Sequence, residues 1–307
     1  MPPDLPTARV GDTRAMEEIQ HVVRTADGRS LAVRDAGVPD GPALVAQHGT
    51  PGTGRFYGAE LASAQEKGLR LITYDRPGYG GSSPNRGRTV ADAADDVATI
   101  LDALGVQRFA TYGWSGGGPH ALACAARLPD RCAAACTIAG VAPIDADGLD
   151  WMAGMGEGNI AEFGTALEGR EPLTEFCTAD AAGIVAASAE QLADAMRPHL
   201  SDIDRTALTG AFAAYLTDVL HGALEPGVEG WVDDDIVFTS PWGFDPTGIT
   251  VPLLVLQGEH DLMVPPDHGR WLLAHLPAEG GIRPDEGHLT LFADRIGEIH
   301  AWLLSAL

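Results

Sequence analysis

"RFATYGWSGGGPHALACAARL", residues 108–128, holds a short apolar run, then Gly113-Trp114-Ser115-Gly116-Gly117, then residues at helical spacing. Such a glycine run reads as a flexible linker, a phosphate cradle, or a strained turn that exposes one hydroxyl. A phosphate loop of the G-x-x-x-x-G-K-[ST] kind needs a lysine, and none is present here. The strand-like run before Ser115 and the helical run after it favour the turn. G-x-S-x-G between a strand and a helix puts the serine at a sharp bend, and the residues two positions away on either side must lack Cβ for strand and helix to pass closely.

A serine held this way becomes a nucleophile only with a base in hydrogen-bond reach and a third group that orients the base. Among ten histidines, His288 in "DEGHLT" lies between the last strand region and the C-terminal helix, at the same sheet edge as the serine turn. Asp261 in "LLVLQGEHDLMVP" lies just past a strand end on that edge. The chain order Ser115, Asp261, His288 is one in which such triads occur. Asp145, at the end of "TIAGVAPID", is a second candidate for the acid. His260 projects away from its neighbour Asp261 along an extended chain. His120 reads as packed in the helix after the serine, and His268, His275 and His300 as surface or helix-end residues. His199 and His221 fall in a region where a substrate contact is open. An oxyanion needs donors worth about 3 kcal/mol each. The Gly116 amide, first after the nucleophile, supplies one, and the Thr50 amide in "HGTPG" (48–52) supplies the other, with His48 as a buttress of that loop.

Around this turn the chain reads as an α/β protein. "EIQHVVRTADGRSLAVRDAG" predicts a hairpin turning at Asp27-Gly28. "ALVAQHG", "LRLITYD", "RFATYGW", "AAACTIAG" and "PLLVLQG" are buried parallel strands by their unbroken apolar character. Helical stretches such as "VADAADDVATILDALG" alternate with them, which predicts a mostly parallel, doubly wound sheet of about eight strands. From 145 to 248 only helical patterns occur ("NIAEFGTALEG", "AEQLADAMRPHL", "RTALTGAFAAYLTDVLHGAL"). That predicts a core of residues 1–144 and 249–307 with an all-helical cap inserted over the strands' carboxyl ends.

The net charge of −23 repels phosphate backbones and anionic membrane surfaces, so nucleic acid and membrane are not expected partners. No apolar run reaches the length of a membrane span. "MPPDLPTARVGDTRAM" lacks the apolar region of a secretory signal and reads as a loose arm, so the expected location is cytoplasmic. Cys124, Cys132, Cys136 and Cys177 lack metal or disulfide spacing and read as small buried thiols. No metal site and no cofactor is expected.

"HGTPG", "DRPGYGGSS", "GWSGGG", "GEHD" and "EGH" follow one another between Ala43 and His288, and in this order they resemble the signatures of the α/β-hydrolase superfamily. The resemblance implies the α/β-hydrolase fold, with Asp75, Arg76 and Tyr79 tying down the "DRPGYGGS" turn. It also implies a serine hydrolase, carboxylesterase-like, that cleaves an ester of a small, largely apolar molecule through an acyl-enzyme. Trp114, Trp151, Met155 and Phe163 are candidate pocket residues, with Met152, Phe176, Phe212, Trp231 and Trp242 as further large side chains of the cap. Dehalogenases and epoxide hydrolases of this fold carry aspartate where this chain has Ser115. Proline iminopeptidases resemble it in "HGTPG" and "DRPGYGGS" but usually carry G-x-S-W-G; Glu157, Glu162, Glu168 and Glu175 are the cap carboxylates that could hold their substrate ammonium. A biosynthetic lyase or cyclase on the same triad and a catalytically silent binding protein are the remaining readings.

Overall fold

Two alternating stretches open the described chain, which in this computed structural model covers residues 18–307; the segment read as a loose arm lies outside them. Strands β1 (Ile19–Arg24) and β2 (Ser30–Gly37) pair antiparallel. Their turn differs from a two-residue Asp-Gly hairpin. Gly28 alone takes positive φ, +88°, and the amides of Thr25 and Gly28 donate to the carbonyls of Arg29 and Thr25, both at 3.0 Å. This closes a three-residue loop in which glycine supplies the left-handed residue.

The remaining elements alternate: β3 (Ala43–Gln47), α1 (Gly58–Lys67), β4 (Arg70–Tyr74), α2 (Asp92–Ala103), β5 (Phe109–Trp114), α3 (Gly117–Arg127) and β6 (Cys132–Ile138). Six helices follow without a strand among them: α4 (Glu157–Glu168), α5 (Arg170–Ala186), α6 (Ala189–Met196), α7 (Asp202–Ala207), α8 (Gly210–Leu224) and α9 (Glu229–Phe238). Then come β7 (Leu253–Gly258), α10 (Pro266–His275), β8 (Ala278–Arg283) and α11 (His288–Leu304). The eight strands form one sheet in the order β1-β2-β4-β3-β5-β6-β7-β8. It is parallel from β4 to β8, and β2 runs antiparallel to both its neighbours.

Strands β3, β5 and β7 are buried along their whole length because helices cover both faces. Alternate side chains sort accordingly: Val45, Phe109 and Val255 face one apolar cluster, with Leu101 and Leu272, while Leu44, Ala110 and Leu254 face another, with Ala64 and Ile299. Each large apolar side chain so buried contributes roughly 1.5–3 kcal/mol. The chain winds from β3 outward to β4 and returns on the other side at β5, so the sheet's direction switches between β3 and β5. Loops leaving the carboxyl ends of these two strands diverge there and leave a crevice.

The four cysteines are free and buried. His268 and His300, read from sequence as surface or helix-end residues, are buried instead. His268 Nδ1 accepts from the Ala142 amide at 3.0 Å and its Nε2 faces the Trp151 carbonyl at 2.8 Å; His300 Nδ1 lies 3.1 Å from Ser63 Oγ. Among the described residues no helix is long and apolar enough to cross a membrane.

Candidate active site

The crevice at the switch point is filled from both strands. Ser115 leaves β5 at φ +55°, a left-handed conformation that costs a non-glycine residue about 1 kcal/mol or more. Its amide donates to the Ile138 carbonyl and its carbonyl accepts from the Gly118 amide, each at 2.8 Å, so backbone bonds on both sides hold the strained residue. Close approach explains the flanking glycines. A Cβ on Gly113 would lie 2.0 Å from the Gly117 carbonyl oxygen, and one on Gly117 would lie 2.1 Å from the Gln47 carbonyl oxygen.

Asp261, in the loop after β7, and His288, at the first turn of α11, meet at 2.8 Å between Oδ2 and Nδ1. Asp261 is fixed on both oxygens: Oδ1 accepts from the Met263 and Val264 amides at 2.8 Å, and Oδ2 also accepts from Gln257 Nε2 at 3.0 Å. Burial raises the Asp261 carboxyl above its ordinary range, and His288 only partly offsets this. For His288, burial alone would lower the imidazole; the charge and hydrogen bond of Asp261 outweigh it and hold the ring above the ordinary histidine value. The Nδ1 contact leaves Nε2 for the chamber that His288 and Ser115 both line. Asp145, the other candidate acid, is exposed and belongs to a separate surface recess with Trp242 and Trp271.

The "HGTPG" loop lies against the serine turn. A Cβ on Gly49 would be 3.7 Å from Ser115 Cβ, and one on Gly116 would be 2.3 Å from Thr50 Oγ1. Among the hydrogen bonds of the described residues, neither the Thr50 nor the Gly116 amide has a protein acceptor. His48 is occupied on both nitrogens, with Nδ1 donating to the Gly49 carbonyl at 2.7 Å and Nε2 accepting from the Arg76 amide at 3.0 Å. Burial, then the Arg76 charge, pushes its imidazole well below the ordinary value. Arg76 donates to the carbonyls of His48 and Gly49 and pairs with Asp234 at 2.6 Å.

Trp114 lies in the wall of the Ser115 chamber, a space of about 110 Å³ that also meets Thr50, Tyr215 and Leu216. Pro51, Met196, Leu220 and Met263 border both this chamber and a larger cavity of about 550 Å³ among α4, α5, α6 and α8. Trp151, Met155 and Phe163 border neither cavity. They are buried in the main core, where Trp151 Nε1 donates to the Ala142 carbonyl at 2.7 Å and the ring meets Phe163 edge-on at 4.8 Å. Of the four glutamates read from sequence as candidates to hold an ammonium, Glu157, Glu168 and Glu175 are exposed and Glu162 borders the larger cavity. Glu162 accepts from Trp231 Nε1 at 2.6 Å and sits beside Asp235. Burial raises both carboxyls, Asp235 well above its usual range.

Sequence reasoning missed the buried run Asp233-Asp234-Asp235, whose polar character reads as a solvated face, and Asp204, whose contacts lie far along the chain. It also missed Tyr57 and Phe292, which build an aromatic wall with Phe212, Tyr215 and Trp114. Among the described residues no group of three or more His, Cys, Asp or Glu side chains converges as metal ligands.

This geometry has counterparts in known proteins. The family profile described as "alpha/beta hydrolase fold" matches residues 42–294. The chain belongs to the α/β-hydrolase fold family. As a member of it, the chain is 34% identical over 124 residues to a bifunctional esterase/perhydrolase of Acinetobacter calcoaceticus, covering 40% of this chain and 45% of that one. It is 32% identical over 124 residues, with the same coverage, to a non-heme chloroperoxidase of Streptomyces lividans. The alignments thus span less than half the length of these relatives. Two solved members of the fold, an esterase from a Rhodococcus species and a bromoperoxidase from Bacillus anthracis, each superpose with a TM-score of 0.67. Identity is 21% and 22%, over 94% of this chain and 99% and 100% of theirs; this likeness is one of fold.

Proposed function

We propose that this α/β-hydrolase-fold protein is a serine hydrolase that cleaves an ester of a small, largely apolar molecule. The observation that carries the reading is the buried Asp261–His288 pair at 2.8 Å, with His288 in the wall of the same small chamber as Ser115. His288 Nε2 takes the Ser115 proton as Oγ attacks the ester carbonyl. The amides of Thr50 and Gly116 receive the oxyanion, and the imidazolium returns its proton to the leaving alcohol. Water activated by the same ring then releases the acid. Asp261 holds the Nδ1–H tautomer throughout.

The helices between β6 and β7 act in this reading as a cap. In it their cavity receives the larger part of the substrate, past Met196 and Met263, which border both spaces. Neither cavity has a lysine or arginine in its wall, so a carboxylate or phosphate on the substrate would find no countercharge.

A fluorophosphonate probe tests the chemistry, with the adduct mapped by mass spectrometry. Labelling is expected on Ser115, lost in Ser115→Ala and strongly slowed in His288→Ala, together with a burst of phenolate from p-nitrophenyl butyrate. Labelling elsewhere, or a His288→Ala protein that reacts like the parent, would overturn the assignment. Glu162 in the cavity wall favours one second reading, an aminopeptidase acting on N-terminal proline. Turnover of proline p-nitroanilide faster than of short p-nitrophenyl esters would decide for it.

A further inference from the structure

We propose that Asp204, on helix α7 and outside the Ser-His-Asp set, is a positioning residue for His288, fixing the peptide that carries the imidazole and placing a second negative charge at the same residue. Helix α11 begins at His288, and the first amides of a helix lack partners within it. Here the carboxylate of Asp204 takes three of them: the His288 amide donates to Oδ2 at 2.9 Å, and the Leu289 and Thr290 amides donate to Oδ1 at 2.7 and 3.2 Å. Ser201 Oγ donates to the same Oδ2 at 3.0 Å, and Asp204 is 0% exposed.

A helix ordinarily receives such a bond from the residue just before it. At that position this chain has Gly287, and a Cβ there would lie 2.2 Å from Asp204 Oδ2. The glycine of "EGH" therefore makes room for a cap supplied from 84 residues upstream. On the other side of the residue, Trp114 Nε1 donates to the His288 carbonyl at 3.1 Å. His288 is held at its amide by the helical segment and at its carbonyl by the residue next to Ser115, so its ring is aimed by both.

The charged groups that act on the imidazole are Asp261, at Nδ1, and Asp204, at the first amides of α11. Both favour the protonated ring. Glu286, two residues earlier, is occupied by Arg295 at 2.5 Å.

The inference rests on His288 being the base, and the experiment keeps the two apart. Ester hydrolysis is measured against pH for the parent, Asp204→Asn, Trp114→Phe and His288→Ala, with the rate of Ser115 labelling by fluorophosphonate. Asp204→Asn is expected to lower kcat about tenfold to a hundredfold with KM within about twofold, and to move the acid limb of the profile to lower pH because a negative charge has left the ring's surroundings. Trp114→Phe is expected to lower kcat and leave the limb in place. A folded Asp204→Asn protein with the parent's kcat and limb, beside an inactive His288→Ala, would overturn the role of Asp204 and leave the base intact. A His288→Ala protein that labels normally would overturn the base itself. Should Asp204→Asn fail to fold, Ser201→Ala loosens the carboxylate without removing its charge; a several-fold fall in kcat supports the proposal and an unchanged kcat refutes it.

Discussion

Trp114 stands where the Ser115 turn and His288, the proposed base, meet. Its ring stacks on Phe292 at 4.8 Å and approaches His288 at 5.5 Å, while one edge reaches the Ser115 chamber. Packing and pocket are therefore one role. The imidazole beside it must be neutral to accept a proton, and its acidity is weakened by Asp261. The acid limb of kcat/KM is therefore expected above pH 6.5, the ordinary histidine value, with activity rising through it as His288 loses its proton. A limb at or below pH 6 would mean that Asp261 does not hold the charge assumed. Gly116 offers a second check. Added as Gly116→Ala, a methyl group would meet Thr50 Oγ1 at 2.3 Å and Phe238 at 3.0 Å and push the two proposed oxyanion donors apart. A fall in kcat of about a hundredfold or more is expected, measured beside a circular dichroism spectrum like the parent's.

At the scale of elements, helix α9 decides how the helical segment joins the sheet. Asp234 is buried at 0% exposure and accepts from Arg76 at 2.6 Å, Arg88 at 2.7 Å, Tyr79 at 2.9 Å and Thr50 at 2.6 Å. Burial by itself would raise its carboxyl; the two guanidinium groups prevail and hold it well below the ordinary range. Asp233 beside it pairs with Arg170. Removing one member of such a buried cluster leaves the others uncompensated. Asp234→Ala is therefore expected to cost about 3–5 kcal/mol in urea unfolding, with a larger loss of ester turnover because Arg76 and Thr50 are released together. A loss below about 1 kcal/mol would contradict this account.

What the sequence conveyed follows from the same contacts. The strands that lie buried on both faces were legible as unbroken apolar runs, and the serine turn as a glycine pattern between two such elements. Strand β8, "AEGGIR", sits at the sheet edge with exposed and half-buried residues and carries no apolar run to announce it. The "DDD" of α9 was illegible because three carboxylates look like a solvated face until residues distant in sequence are placed around them: Arg76 and Arg88 on Asp234, Arg170 on Asp233, and Glu162 beside Asp235. Trp151, Met155 and Phe163 have the size for a pocket wall, and no local pattern separates that use from packing beneath the helices.

For the whole molecule, buried ionisable groups set opposing dependences on pH. His48, His120, His268 and His300 are buried with imidazoles pushed down by burial. Unfolding lets them take up protons, so the stability they preserve is fully present above pH 6.5 and lost as pH falls. Burial raises Glu60 to about 7 and also raises Glu162 and Asp235. These keep protons in the folded state that the unfolded chain releases above about pH 4.5, so stability falls as pH rises from there through their raised values. The two trends place the maximum of their sum between the ordinary carboxyl and histidine values, 4.5 and 6.5, checked by urea unfolding at pH 4.5, 6 and 8. Glu60→Gln is expected to soften the decline between pH 6 and 7. Stability rising steadily to pH 8 would contradict the neutral burial of these carboxyls.

The four residues that border both cavities carry one more consequence. Two of them are thioethers, Met196 and Met263, both half-buried, and peroxide converts a thioether to a polar sulfoxide. Mild peroxide treatment is therefore expected to slow hydrolysis of bulky esters more than that of acetate esters, and a methionine sulfoxide reductase should reverse the effect. Leucine at both positions would give a protein that meets oxidants without changing its choice of substrate.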